Sequence, residues 1–228
     1  MFKLNQIEAT LHALLSGPGR SARHRLMERV PQVLSTRIKH LLAIDRNWGR
    51  ANSKHPSEHP TAFYDTLPAG TGQDVSYSAF QAFRLTVALE LLSFGCKQSE
   101  VVEQVGLCRG ALEAAFDKAT RTIKTFGRSS EITLDNVPNQ DREEALIFLV
   151  LTQVDVSEKM AEAYPGSLKA GERLLAPEVC FGRSDLQRFI KRTLPKQSYK
   201  VLVIELSFLA ARLVELLAQA PLRKRGRH

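Results

Sequence analysis

The 228-residue sequence predicts an all-α fold, a helical bundle with a tight pair of short helices at its centre. Three observations carry that expectation. Apolar residues recur at helical spacing over most of the chain, and terminators such as Ser16-Gly17-Pro18-Gly19, Gly95 and Pro165-Gly166 fall between the periodic runs. With 13 Gly, 10 Pro and 7% aromatics, the composition also lacks the turn residues of an all-β chain. The length suits one domain or two small ones, and 43% hydrophobic with 25% charged residues is an ordinary globular balance.

Residues 2–16 set Phe2, Leu4, Ile7, Leu11, Leu14 and Leu15 on one helical stripe. A second helix is expected from about Ser21 to Ile44, with Leu26, Val30, Val33, Leu34, Ile38, Leu41 and Leu42 inward. Arg23, Arg25, Arg29, Arg37 and Lys39 are its more exposed residues, and Pro31 kinks or splits it. Residues 1–44 thus read as an N-terminal helical hairpin. Residues 45–76 lose the apolar period and hold three Pro and three Gly, so they read as a linker or arm that Trp48, Phe63 and Tyr64 can dock. His55 and His59 each precede a proline, so no regular helix supports a metal pair there, and no metal or cofactor is expected.

Ser78 is a natural N-cap for an apolar helix through Phe80, Phe83, Leu85, Val87, Leu89, Leu91 and Leu92, ending at Gly95. It opens a central region, 77–128, with two more helices. The region 136–220 is expected to be helical from Asn139 or Asp141, whose acidic neighbours suit a helix N-terminus. Periodicity cannot separate the run Ala145 to Leu151 from a buried strand, but its acidic start and the continuation SEKMAEAY favour helix. Shorter helices are expected near 167–175 and 184–194. The longest spans 196–220, where Ser198, Glu205, Arg212 and Gln219 recur every seven residues beside Glu215 in an otherwise apolar circumference. Such a helix is the centre of a bundle or half of a homodimer interface. Residues 221–228 are a basic tail.

Cys96, Cys108 and Cys180 form no CxxC pair, which argues against a disulfide framework or structural zinc and fits the cytoplasm. Asn5, Gln6, Glu8 and His12 interrupt any signal-peptide core, and Glu205, Arg212 and Glu215 interrupt Val201 to Ala218, so no membrane span is expected. The net charge of +8 is uneven: +6 over residues 1–50, −2 over 51–76, +2 over 77–128, −6 over 129–180 and +8 over 181–228. Basic ends around an acidic segment suit either a phosphate-facing surface or solvated helix faces with a free tail.

Function rests on residues 98–117, QSEVVEQVGLCRGALEAAFD. Val101, Val102 and Val105 give a first short helix its apolar face. Gly106 is read as the sharp turn wanting a positive φ, and Leu107 as filling the gap between helices. Cys108 opens the second helix, and Leu112, Ala115 and Phe116 pack it on the first. This pattern is a helix-turn-helix, and it resembles the DNA-binding motif of the phage Cro and repressor family. Val102 stands where that family usually has Ala, and Cys108 where it often has Ser or Thr. Tyr77-Ser78, the helix to Leu92, Phe94-Gly95 and Gln98 to Val105 also resemble the latter half of a MerR-type domain, whose upstream pattern is missing from residues 1–76.

The resemblance implies sequence-specific binding of double-stranded DNA by a bacterial or phage-type transcriptional regulator. The second helix would enter the major groove, bringing Arg109, Gly110, Glu113, Ala114 and Asp117 to base edges. Arg109 suits guanine, and Glu113 suits a cytosine amino group. Gln98 and Ser99 would touch phosphate, with Lys97, Lys118, Arg121 and Lys124 as further phosphate contacts. Because residues 77–128 sum to only +2, the basic ends or a dimer would have to add affinity. No Walker-type loop, GxSxG, HExxH or GxGxxG occurs, so an enzyme is not expected and no catalytic residue is named. The alternative is a non-enzymatic helical protein–protein adaptor or assembly subunit.

Overall fold

A three-stranded antiparallel sheet occupies the part of the chain where the sequence predicts only helices. The structure, a computed structural model, describes residues 1–16, 22–51, 61–68, 75–126, 145–156, 158, 162, 169, 171, 173–193 and 200–221. The all-α expectation is therefore wrong, and the fold is mixed α/β. A two-stranded sheet pairs β1 (Phe2–Lys3) with β2 (Ser76–Tyr77), and the larger sheet has the order β4-β3-β5. Its strands are β3 (Ile147–Asp155), β4 (Arg173–Phe181) and β5 (Lys200–Glu205).

Each strand corrects a helix expected from the sequence. The run Ala145 to Leu151 mostly becomes the central strand β3, with Ile147↔Phe181 and Phe148↔Glu205 setting its two registers. Both faces of β3 are covered, so its apolar residues run on without the alternation that would reveal a strand. Ile147, Leu149 and Leu151 face the main core, while Val150 packs with Cys180 and with Phe189 of α7 (Arg183–Thr193). The helix expected at 167–175 overlaps the start of β4. The long 196–220 helix divides into β5 and α8 (Leu206–Gln219) because Glu205 turns its carboxylate back as an N-cap. That carboxylate accepts from Ser207 N at 2.7 Å and from Phe208 N at about 3 Å. Most of α8's apolar circumference, the suggested homodimer contact, instead packs on α1, α4, α6 and β3 within the chain.

The helical layer is α1 (Leu4–Leu15), α2 (Ala22–Met27), α3 (Gln32–Ala51), α4 (Ala79–Ser93), α5 (Gln98–Leu107) and α6 (Arg109–Phe126). Pro31 splits the second expected helix, and α3 then continues past residue 44 to Ala51. Its extension holds the arm. Asp45, buried in α3, accepts from Ala62 N at 2.6 Å and Phe63 N at 2.7 Å, and Ala62, Phe63 and Tyr64 are all buried. Gly49 explains the close approach: a Cβ there would lie 2.7 Å from Thr61 Cγ2 and 2.9 Å from Leu67 Cδ1. Residues 61–68 therefore form a strap seated in the core.

Ser78 caps α4 as expected, accepting from Gln81 N, and Gly95 ends it at φ 87. Gly106 departs from expectation: it is a buried, helical residue of α5, and positive φ among the described residues belongs to Gly95, Gly171 and Gly182. The chain breaks instead at Cys108, at φ −92 and ψ 12, where burial pushes the thiol up to about 12. Leu107, expected between the helices, is 58% exposed. Among the described residues, no helix is long and apolar enough to cross a membrane. His55 and His59 lie outside the described residues, as do the start of the helix expected at 139–144 and the tail beyond 221.

Candidate nucleic-acid interface

Two surfaces bear on nucleic-acid binding, and the structure separates them. The first is the outer face of α6. Gly110, Glu113, Ala114, Asp117 and Arg121 are all exposed there, as a major-groove reading requires. The opposite face is core: Leu112, Ala115, Phe116 and Ala119 are buried, and α6 packs on α8, α4 and β4. Of its cations, Lys118 lies half-buried with Nζ 5.5 Å from the Phe181 ring centre, and Arg121 Nε donates to the Asp117 carbonyl at 3.2 Å. The side chain of Lys124 lies outside the described residues. With Glu113 and Asp117 both outward, this face is weakly acidic.

Arg109, the expected reader of guanine, is occupied. One guanidinium nitrogen reaches Asp65 Oδ1 at 2.5 Å, and the other donates to the carbonyls of Tyr64 at 3.2 Å and Thr61 at 3.4 Å. The same Asp65 oxygen accepts from Arg84 at 2.9 Å. Arg84 is wholly buried, with its guanidinium carbon 4.5 Å from the Phe80 ring centre. Burial, and then the neighbouring charge of Arg109, pull the Arg84 guanidinium below its ordinary range. Asp65 is half exposed. Its role is invisible to spacing, because it comes from the arm, 44 residues before Arg109.

The second surface is basic. The solvent face of α3 carries Arg37, Lys39, His40 and Arg50 and no acid, because the helix's one acid, Asp45, is turned inward. Beside it runs a groove of about 580 Å3 lined by Arg37 and Ile44 of α3, Leu92 of α4, and Cys96, Lys97, Gln98 and Ser99. Its lining includes the first turn of α5, where the helix dipole favours an anion and where Glu100 already lies 3.9 Å from Lys97 Nζ. Lys97 is the N-cap, its own N–H donating to Glu100 at 2.9 Å, which fixes the start of the helix. Gln98, half-buried, and Ser99, exposed, are the first two residues of that turn. Arg37, noted from the sequence only as an exposed residue, joins them in the groove, and Lys39 is exposed elsewhere on α3. The signal that could have found them is the +6 of residues 1–50, since Asp45 is the only acid from Gln32 to Ala51.

No family model matches this chain, and neither does any curated protein or solved structure. Among the described residues, no cluster of His, Cys, Asp and Glu has metal-binding geometry.

Proposed function

We propose that this chain is a DNA-binding protein, a bacterial or phage-type regulator that grips duplex phosphates with the outer face of α3 and the first turn of α5. One observation carries the reading: Arg37 of α3 lines a groove together with Lys97, Gln98 and Ser99, while Lys39, His40 and Arg50 are exposed on the same helix and its one acid is buried. Arginine, lysine and open helix N–H groups are the usual phosphate partners, and they fix a protein's register on the duplex. The outer face of α6 supplies the base-edge candidates Gly110, Glu113, Ala114 and Asp117, at a less favourable charge.

Fluorescence anisotropy with a random-sequence duplex at two salt concentrations tests the reading. The wild type should bind with a steep salt dependence. Replacing Arg37 and Lys39 together by Ala should cost ~10-fold in affinity and lower the log–log salt slope by about 0.9 per lost contact. Replacing Glu113 and Asp117 by Ala should not weaken binding. No binding by the wild type at low salt ends the DNA reading. The working model then becomes the helical adaptor or assembly subunit, which the outward Phe94 and Leu107, 60% and 58% exposed, favour.

A further inference from the structure

We infer that Asp65 is an exchangeable mask on Arg109: its carboxylate occupies the guanidinium in the free protein and yields it to DNA, while Arg84 keeps Asp65 in place. This inference rests on the DNA-binding reading above and concerns how that surface discriminates between sequences.

The geometry gives the two arginines unequal freedom. Both reach one carboxylate oxygen, Arg84 at 2.9 Å and Arg109 at 2.5 Å. The Arg84 side chain is 0% exposed and lies against Phe80, so it has nowhere to go. The Arg109 side chain is 29% exposed, stands at the first position of α6 and has an extendable stem. Two like charges on one oxygen repel each other, and the departure of Arg109 relieves that repulsion.

What Arg109 leaves behind stays satisfied. Asp65 keeps Arg84, and the Tyr64 carbonyl keeps the Thr61 hydroxyl, which donates to it at 2.5 Å. The bond lost without replacement is the long one to the Thr61 carbonyl. The strap itself does not move, because Ala62 and Phe63 are buried and their N–H groups sit on Asp45. The exchange is therefore a side-chain swing, with no loss of core.

The mask is also in a useful place. Arg50 on the basic face of α3 reaches the other end of the same strap, at the Pro68 carbonyl, 3.5 Å away. A freed Arg109 would extend the α3 surface toward the outward face of α6. Because Asp65 must be displaced first, a single phosphate gains little from Arg109, whereas a bidentate guanine contact gains more. Asp65 thus lowers non-specific affinity more than specific affinity.

Duplex anisotropy on the wild type, Asp65→Asn, and Asp65→Asn combined with Arg109→Ala tests this, with the Arg37/Lys39 double variant alongside. Asparagine keeps an oxygen for Arg84 and removes the competing charge. Asp65→Asn should bind random-sequence duplex ~3- to 10-fold tighter, with a salt slope steeper by about 0.9, and Arg109→Ala in that background should cancel both gains. Unchanged affinity and slope in Asp65→Asn would overturn the mask while leaving the DNA reading intact, provided the α3 variant loses binding. No binding by any of the proteins overturns both. A measurement on the unaltered protein guards against misfolding of the variants: the side-chain NMR signal of Arg109 should shift during titration with duplex while that of Arg84 stays. An Arg109 signal that is unmoved at saturation would overturn the mask.

Discussion

Helices α3 and α6 are nearly matched on paper and opposite in the folded protein. They have 20 and 18 residues, and their formal charges are +3 and +2. In α3 the single acid is buried and Arg37, Lys39 and Arg50 face water, with only Arg46 turned in against Tyr64. In α6 both acids face water, while Arg109 is paired and Lys118 lies over an aromatic ring. The net charge of a helix therefore says little about its partner, and what counts is which sign the fold turns outward. The inward sides differ as well. Both reach the main core, α6 through Leu112, Ala115 and Phe116 and α3 through Ile38, Leu41 and Leu42, but α3 also holds the strap through Asp45 and Gly49.

The sharpest way to break this comparison is to cut the inner side of α6. Leu112 is fully buried, so Leu112→Ala should cost about 2–5 kcal/mol in urea unfolding. Val33→Ala on the outer face of α3, a residue 63% exposed, should stay within ~0.5 kcal/mol. Equal losses at the two sites would refute the assignment of faces.

A smaller effect is expected at Asp45. Asp45→Asn turns an amide toward one of the two strap N–H donors and should cost about 1–3 kcal/mol at neutral pH. Burial raises the Asp45 carboxyl above the ordinary aspartate range, against the pull of the strap's backbone N–H groups and of Arg84. Between the ordinary and the raised value the folded protein holds the proton more firmly than the unfolded chain. The contribution of Asp45 to stability therefore falls as pH rises through that window. A stability–pH curve of the same slope in Asp45→Asn would show that this carboxyl is not the cause.

The smallest effect is at Gly110, where an added Cβ meets nothing within 4 Å and the backbone is helical. Gly110→Ala should stabilise the protein by ~0.4–1 kcal/mol in a thermal melt. Duplex affinity should hold, and a marked loss would bring the first turn of α6 into the DNA contact.

Much of the helical layer was legible. The Ser78 cap, the Gly95 terminator, the break at Pro31 and the packing of Val101, Val102 and Val105 are local signals, each set by a dihedral preference or a 3.6-residue period. The strands were not legible, for two reasons: β3 is buried on both faces, and the heptad of Ser198, Glu205, Arg212 and Gln219 runs across a strand–helix junction that only the Glu205 cap reveals. Gly106 misled because a glycine permits a turn without requiring one. Buried between apolar neighbours in α5, it stays helical.

Neighbours a few residues apart set where most helices start and stop and which of their residues are apolar, and the gathering of positive charge at the two ends of the chain is read directly from the residues. Long-range packing sets the sign each helix shows to solvent, the strand state of Ile147–Asp155, and the capture of Arg109 by Asp65. Those outcomes depend on groups far apart in the chain that burial forces to share one another's charge and hydrogen bonds, and a buried charge must take whichever partner the fold brings to it.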